Sequence, residues 1–417
     1  MLNNSDNLSR RDLIKRIGLS ASASLIAPMS FARTEETQSG SLRITSVRAF
    51  PVKMWKNFSG WKSMQFESND DSRRWFYRGP YAQLTSSIVV IIQTKEGVTG
   101  YGLGAGGQVG VQIVEGHLRD LLIGTNALNV EMLWDQMYSS GLFYGRRGAF
   151  VMALSGIDNA LWDIRGKQAG RPVHSLLGQK GKDRIPIYQT GRQTEVEIGL
   201  ERGIQHFKVV VADGVRDGEP GKQRTEKILS EVRELIGPQK SLMAECTAKW
   251  NDVNYTLEMA RRLEGCDLYW IEEPLSPDDL VGYEQLVAQI DSTRIASGEH
   301  EYTRYGFSEL IRHRAADVFQ PDVSWSGGLT SLINIEALAK NNALEFTPHR
   351  GGCLFGLPIC LNSNQCNWAE SFGDERYSTD LMMAMTPEVD NGFYLPSQKP
   401  GFGTALDETL IKKHVLV

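Results

Sequence analysis

"YWIEEPL" (Tyr269–Leu275) is a short apolar run that stops at two adjacent carboxylates and a proline, Glu272, Glu273 and Pro274. It reads as a buried strand, and the charge at its end must be compensated. The pattern recurs from about Arg184 onward, where short apolar segments alternate with helix-like ones. The strand segments are "RIPIYQT", "HFKVVV", "SLMAEC", "LYWIEE", "RIASGE", "DVFQPD", "LEFTPH" and "NWAES", each with a polar residue near its C-terminal end. Eight such units predict a parallel barrel. Glu245 to Glu272, Glu272 to Glu299 and Asp322 to His349 each span 27 positions, Glu299 to Asp322 spans 23 and His349 to Glu370 spans 21. Each interval holds one helix and two loops. The C-terminal strand ends of such a barrel converge on one mouth, where catalytic groups sit.

Three consecutive strands end in Glu245, Glu272 and Glu299. At neighbouring positions around one mouth, three like charges would be driven to protonate unless a cation lies among them. Oxygen-only ligation without cysteine or clustered histidine favours a hard divalent ion, Mg2+, with Mn2+ as the alternative. Side chains alternate along a strand, so Glu272 and Glu273 face opposite ways. Glu272 is assigned as the ligand, and Glu273 as a hydrogen-bond or ion-pair partner of a neighbour. Asp322 and His349 lie one unit apart. An aspartate beside an imidazole fixes its tautomer and raises its basicity, as a general base requires. Opposite them, Lys208 in "HFKVVV" either reaches the mouth or neutralises an anion there. Glu370 in the eighth strand is placed to donate or accept a hydrogen bond to developing charge.

The remaining chain narrows the class. It has 417 residues, 23% of them charged, and a formal net charge of −5. No basic face recommends a nucleic-acid partner. The N-terminal "SRRDLIKRIGLSASASLIAPMSFA", with Arg10 and Arg11 ahead of a weakly apolar stretch, resembles a twin-arginine export signal over residues 1–32. A periplasmic protein is expected, and no other stretch is long and apolar enough to span a membrane in the mature form. The five cysteines contain no Cys-x-x-Cys pair and suggest neither a zinc site nor a disulfide framework. After a polar linker, 33–40, residues 41–180 read as an α+β capping domain. It opens with strands and a hairpin at Lys95-Glu96-Gly97, and its strongest helix runs from Ala149 to near Gly170. "GYGLGAGG" has dinucleotide-loop spacing, but it follows a hairpin strand, so a flexible cap loop over the active site is expected instead. Residues 181–387 form the barrel, and 388–417 are expected to leave it and return to the cap.

Taken together, "ALWDIRGKQAGRPVHSLLG", "WIEEPLSPDD", "SGEHEYTRYGF", "QPDVSWSGGLT", "FTPH", "WAE" and "KPGFG" resemble the enolase superfamily, and within it the mandelate racemase-type acid-sugar dehydratases. The resemblance implies a modified TIM barrel, (β/α)7β, whose cap is completed by the C-terminal segment. It also implies a Mg2+-dependent lyase acting on a small sugar acid such as an aldonate, and a symmetric homo-oligomer. His349 would take the proton α to a carboxylate, Lys208 and the metal would hold the resulting charge, and loss of the β-hydroxyl would give a 2-keto-3-deoxy acid. Val210 stands where racemases carry a second lysine, Glu245 where the family usually has aspartate, Thr247 where many members have asparagine, and no histidine occurs between Ser41 and Arg78. Arg73, Arg74, Arg78, Arg146 and Arg147 are candidates for substrate binding. An anhydro-sugar-acid cycloisomerase and a non-catalytic sugar-acid binding protein are the competing readings. For the leader, export should release a chain cut after Ala32; intact Met1 on protein recovered from the periplasm would contradict this.

Overall fold

β-Branched residues recur in the first of the two segments that open the cap and dominate the second, and the two pair as strands. The computed structural model describes residues 41–56, 86–178, 181–371 and 373–416. The expected export signal, the linker, and Arg73, Arg74 and Arg78 lie outside these residues. Strands β1 (Ile44–Pro51), β2 (Ile88–Thr94) and β3 (Thr99–Gly104) form an antiparallel sheet in the order β1-β2-β3. Helices α1 (Gly107–Ile113), α2 (Arg119–Leu122), α3 (Val130–Ser140) and α4 (Ala149–Gln168) follow.

Helix α4 is buried on every side from Phe150 to Ile164, because one face meets the sheet and another meets the barrel. On the sheet side, Gly100, Gly102 and Gly104 of β3 let the helix backbone come close. A Cβ at Gly102 would lie 2.0 Å from the Gly156 carbonyl oxygen and 2.4 Å from Ala160 N. The expectation of a flexible loop for "GYGLGAGG" is therefore corrected: its first three glycines lie within β3 and are the packing surface for α4.

The second half builds the barrel. Strands β4 (Ile185–Gly191), β5 (His206–Val210), β6 (Ser241–Glu245), β7 (Leu268–Glu272), β8 (Arg294–Ser297), β9 (Val318–Phe319) and β10 (Glu345–Phe346) run parallel in chain order, and β11 (Ala369–Glu370) pairs in parallel with β4. Between them lie α5 (Gln193–Glu201), α6 (Gly218–Ile236), α7 (Val253–Arg262), α8 (Leu280–Gln289), α9 (Thr303–Arg312), α10 (Gly328–Asn341) and α11 (Leu357–Asn362). Eight strands and seven intervening helices make the modified TIM barrel, (β/α)7β. Tyr188, Met243, Trp270, Ala296, Val318 and Trp368 fill its interior, so the barrel is a packed core rather than a pore.

The face of α4 opposite the sheet holds the start of α10, which follows the Asp322 loop. Ser155 Oγ accepts from Gly327 N (2.9 Å), Asn159 Oδ1 from Leu329 N (3.1 Å), and Asp158 from Thr330 N (2.9 Å) and Thr330 Oγ1 (2.6 Å). The first-turn N–H groups that a helix leaves unsatisfied thus find acceptors on the cap. Gly328 has φ 77°, and a Cβ there would lie 2.4 Å from Asp158 Oδ2, so the "SGG" turn is what allows this docking.

After α12 (Asp380–Met383) the chain does not return directly to the cap. β12 (Glu388–Asp390) and β13 (Phe393–Leu395) form a hairpin, and β13 pairs antiparallel with Ile185 and Pro186 of β4. The two-residue β11 covers only Ile187 and Tyr188, which leaves the first half of β4 an open edge that the hairpin closes. Beyond it the chain does rejoin the cap: Phe402 N bonds Asp163 Oδ1, α13 (Glu408–Lys413) presents Glu408 to Arg48, and Leu416 N reaches Pro51 O. All five cysteines are buried and free. Among the described residues no helix is long and apolar enough to cross a membrane. Gly102→Ala should cost about 1–3 kcal/mol of stability, as overpacking against backbone typically does; an unchanged denaturant midpoint would show that α4 can move off β3.

Candidate active site

β6 ends at Glu245 and β7 at Glu272, and the two residues are direct register partners. Like charges placed opposite one another across a ladder are destabilising. Glu299 lies just beyond β8, and ligand atoms of all three buried carboxylates lie within 4.8 Å of one another. Lys208, inward on β5, places Nζ 2.6 Å from Glu272 Oε1, 3.1 Å from Glu245 Oε2 and 3.1 Å from Glu370 Oε1. Neighbouring donors hold the other oxygens. Trp270 Nε1 (2.9 Å) and Gln320 Nε2 (2.7 Å) donate to Glu272 Oε2, and Thr247 N donates to Glu245 Oε1 (2.8 Å).

One lysine does not balance this cluster. Burial pushes the Glu272 carboxyl well above the usual carboxylate range, and Glu245 adds to the shift. Burial acts the same way on Glu245, but Lys208 together with hydrogen bonds from Thr247 N and from the Glu272 side chain outweighs it and leaves that carboxyl below its ordinary value. Lys208 itself is pushed down by burial, yet Glu272 and Glu370 dominate and raise it well above the ordinary lysine value. An all-oxygen, buried donor set still short of positive charge fits a hard divalent cation.

His349 follows β10 and faces the cluster. Its Nδ1 is 2.7 Å from Asp322 Oδ2, and Asp322 Oδ1 accepts from Ser324 N and Oγ, both at 2.6 Å. With Nδ1 donating to Asp322, Nε2 points to the site, 3.3 Å from Glu299 Oε1 and 3.8 Å from Glu370 Oε2. Burial lowers the imidazole, but Glu299, Glu370 and Asp322 outweigh it and raise it above its ordinary value. Glu370 accepts from Thr190 Oγ1 (2.5 Å) and Arg350 N (2.7 Å). Burial would raise this carboxyl, but Lys208 and His349 carry it down to about 2. Of the two roles open to Glu370 in sequence, the structure favours acceptance.

The structure thus gathers Glu245, Glu272, Glu299, Lys208, Asp322, His349 and Glu370 at one mouth. Arg147 of the cap pairs with Glu301 (3.3 Å) and Asp278 (3.5 Å) of the barrel loops. Arg146 is exposed and lines an adjoining groove of about 540 Å³ with Tyr138, Tyr302 and Tyr305. Sequence reading missed Trp270, Gln320 and His300. Trp270 was legible in principle, since it lies two residues before Glu272 and therefore on the same face of β7; Gln320 lies just past the end of β9, where the alternation no longer fixes a face. Glu273 does turn outward to a neighbour, and that neighbour is His300, whose Nδ1 lies 2.6 Å from Glu273 Oε2.

Residues 193–410 match the family model for the enolase C-terminal domain-like fold, and residues 81–178 match that for the N-terminal domain of mandelate racemase and muconate lactonizing enzyme. The chain belongs to the enolase superfamily, in its mandelate racemase subgroup. It is 34% identical over 329 residues to L-rhamnonate dehydratase of Saccharopolyspora erythraea, covering 77% of this chain and 83% of that one. Among solved structures it resembles L-rhamnonate dehydratase from Gibberella zeae (TM-score 0.77, 28% identity, 91% of this chain and 97% of that one). It also resembles rhamnonate dehydratase from the same organism complexed with Mg (TM-score 0.76, 28% identity, 90% and 96%). Lys208→Met would leave buried carboxylates without their lysine, so in EDTA it should lower the unfolding free energy by about 3–5 kcal/mol. A loss within error in denaturant titrations would show that the cluster does not depend on that lysine.

Proposed function

We propose that this protein is a Mg2+-dependent sugar-acid dehydratase, a hydro-lyase acting on an aldonate of the L-rhamnonate type. The observation that carries this reading is the Asp322–His349 pair aimed across the mouth at a carboxylate cluster that calls for a cation. A ligand-binding module needs no oriented base there. The dehydratase relatives, one of them a Mg complex, support the reaction class and the ion. Glu245, Glu272 and Glu299 would hold Mg2+, which when bound supplies Lewis acidity to a substrate carboxylate.

The chain's own groups account for the proton traffic. His349 Nε2 takes the proton from C2, and the C–H electron pair moves toward the substrate carboxylate. Lys208 offers its N–H to the charge that develops there, which is stronger in the transition state than in the ground state. The C3–O bond then breaks, His349 returns the proton to the departing hydroxide as water, and the resulting enol tautomerises to a 2-keto-3-deoxy acid. Asp322 keeps the imidazole in the required tautomer, and Glu370 holds Lys208 from the other side. Export to the periplasm and a homo-oligomeric assembly belong to the same proposal; fractionation and light scattering test them.

The test is incubation with Mg2+ and a panel of aldonic and anhydro-aldonic acids in D2O, followed by NMR. Formation of a 2-keto-3-deoxy acid supports the reading; C2 exchange with ring opening would replace it with cycloisomerisation, and ligand binding without exchange would replace it with a binding protein. His349→Asn should abolish C2 exchange and turnover, by at least about 10³-fold, and leave binding affinity within a few-fold. Turnover unchanged in that variant would remove His349 from the mechanism.

A further inference from the structure

Glu245 and Glu272 are the last residues of their strands, so ladder hydrogen bonds fix the backbone from which each side chain projects. Glu299 instead lies beyond the end of its strand. β8 ends at Ser297, Gly298 turns the chain at φ 119°, and Glu299 follows in the loop. Something other than the sheet must aim its carboxylate.

The second carboxylate of "WIEEPL" is built to do this. Glu273, buried and in the left-handed region at φ 39°, holds His300 at two points: Oε2 lies 2.6 Å from His300 Nδ1, and Oε1 accepts from His300 N at 3.3 Å. A non-glycine residue there costs of order 1 kcal/mol, and such strain persists only where the surroundings enforce it. The two contacts fix both the backbone next to Glu299 and the orientation of the ring. His300 Nε2 then faces Glu299 Oε1 at 4.0 Å, the same oxygen that lies 3.3 Å from His349 Nε2. Trp325 lies beside both imidazoles, with ring centroids 5.4 Å from His300 and 5.9 Å from His349. Glu299 is thereby flanked by two histidines, each oriented by a carboxylate: His349 by Asp322 and His300 by Glu273.

We infer that His300, anchored by Glu273, is a positioning residue that sets Glu299 for the cation; this rests on reading Glu245, Glu272 and Glu299 as the cation site. Outer partners of this kind typically carry a 10–100-fold share of metal affinity. Glu273→Gln, His300→Asn and the double variant test it in the full chain. Mg2+ alone is titrated into the metal-free protein by calorimetry, with thermal unfolding in EDTA recorded alongside and Mg2+ activation of turnover measured where a substrate is in hand.

Each single variant should weaken the Mg2+ Kd by roughly 10–100-fold. The double variant should be no worse than the weaker single one, because the two residues act as one unit. The midpoint of Mg2+ activation should shift with Kd while kcat recovers at high Mg2+. His300→Asn leaves Glu273 buried without its partner and can fail to fold; Glu273→Gln and the double variant then decide. Folded variants that bind Mg2+ as the wild type does, whatever their melting temperatures, would reduce Glu273–His300 to a fold-stabilising pair and overturn this inference alone. Absence of Mg2+ binding by the wild type would overturn the cation site itself. A wild type that binds Mg2+ but dehydrates no sugar acid would overturn the proposed reaction and leave the calorimetric comparison decisive.

Discussion

Carboxylates crowded at the ends of adjacent parallel strands repel one another, and at an effective dielectric near 20 each pair within 4.8 Å stands about 3 kcal/mol or more uphill. Net stabilities of whole domains are only about 5–15 kcal/mol, so repulsion on this scale must be met locally. Lys208 meets part of it through Glu245, Glu272 and Glu370. Trp270, Gln320 and the Thr247 backbone take up lone pairs that would otherwise be buried and bare. What is left over is a demand for positive charge at one place. A cation drawn there by that demand would also stand beside any negative charge developing on a substrate in the mouth.

The second constraint is that the base must not drift relative to this cluster. Asp322 sits in the loop between β9 and α10, and loops are the usual place for movement. Here the end of the loop is held by α4, whose Ser155, Asp158 and Asn159 accept from the first N–H groups of α10. Helix α4 can serve both sides because β3 offers it glycines rather than side chains. The cap is therefore part of the mechanism that holds the dyad in register, through a chain of contacts from Gly102 to Asp158 to Thr330.

Much of the site was legible because a strand's period of two and a barrel's repeat make position along the chain equivalent to position around the mouth. Glu245, Glu272, Glu299, Asp322, His349 and Glu370 fall at strand ends in sequence and come together in space. The glycines of "GYGLGAGG" were misread because absence of a side chain looks the same whether it serves flexibility or close packing. The hairpin of β12 and β13 on β4 was missed for a related reason: whether β4 has an open edge depends on how short β11 is.

By itself the sequence determined the barrel and the inward carboxylates, since these follow from local periodicity and the spacing of polar strand ends, and its motifs carried the family resemblance. Only the tertiary structure decided which partner each charge meets. Glu273 could have faced any neighbour, and it meets His300 27 residues away; Arg147 meets Glu301 and Asp278. Glu370 accepts at both oxygens because Thr190, Arg350 and Lys208 happen to surround it. Electrostatic compensation is a property of distance in space, and residues far apart in the chain acquire that distance only when the strands close around one mouth.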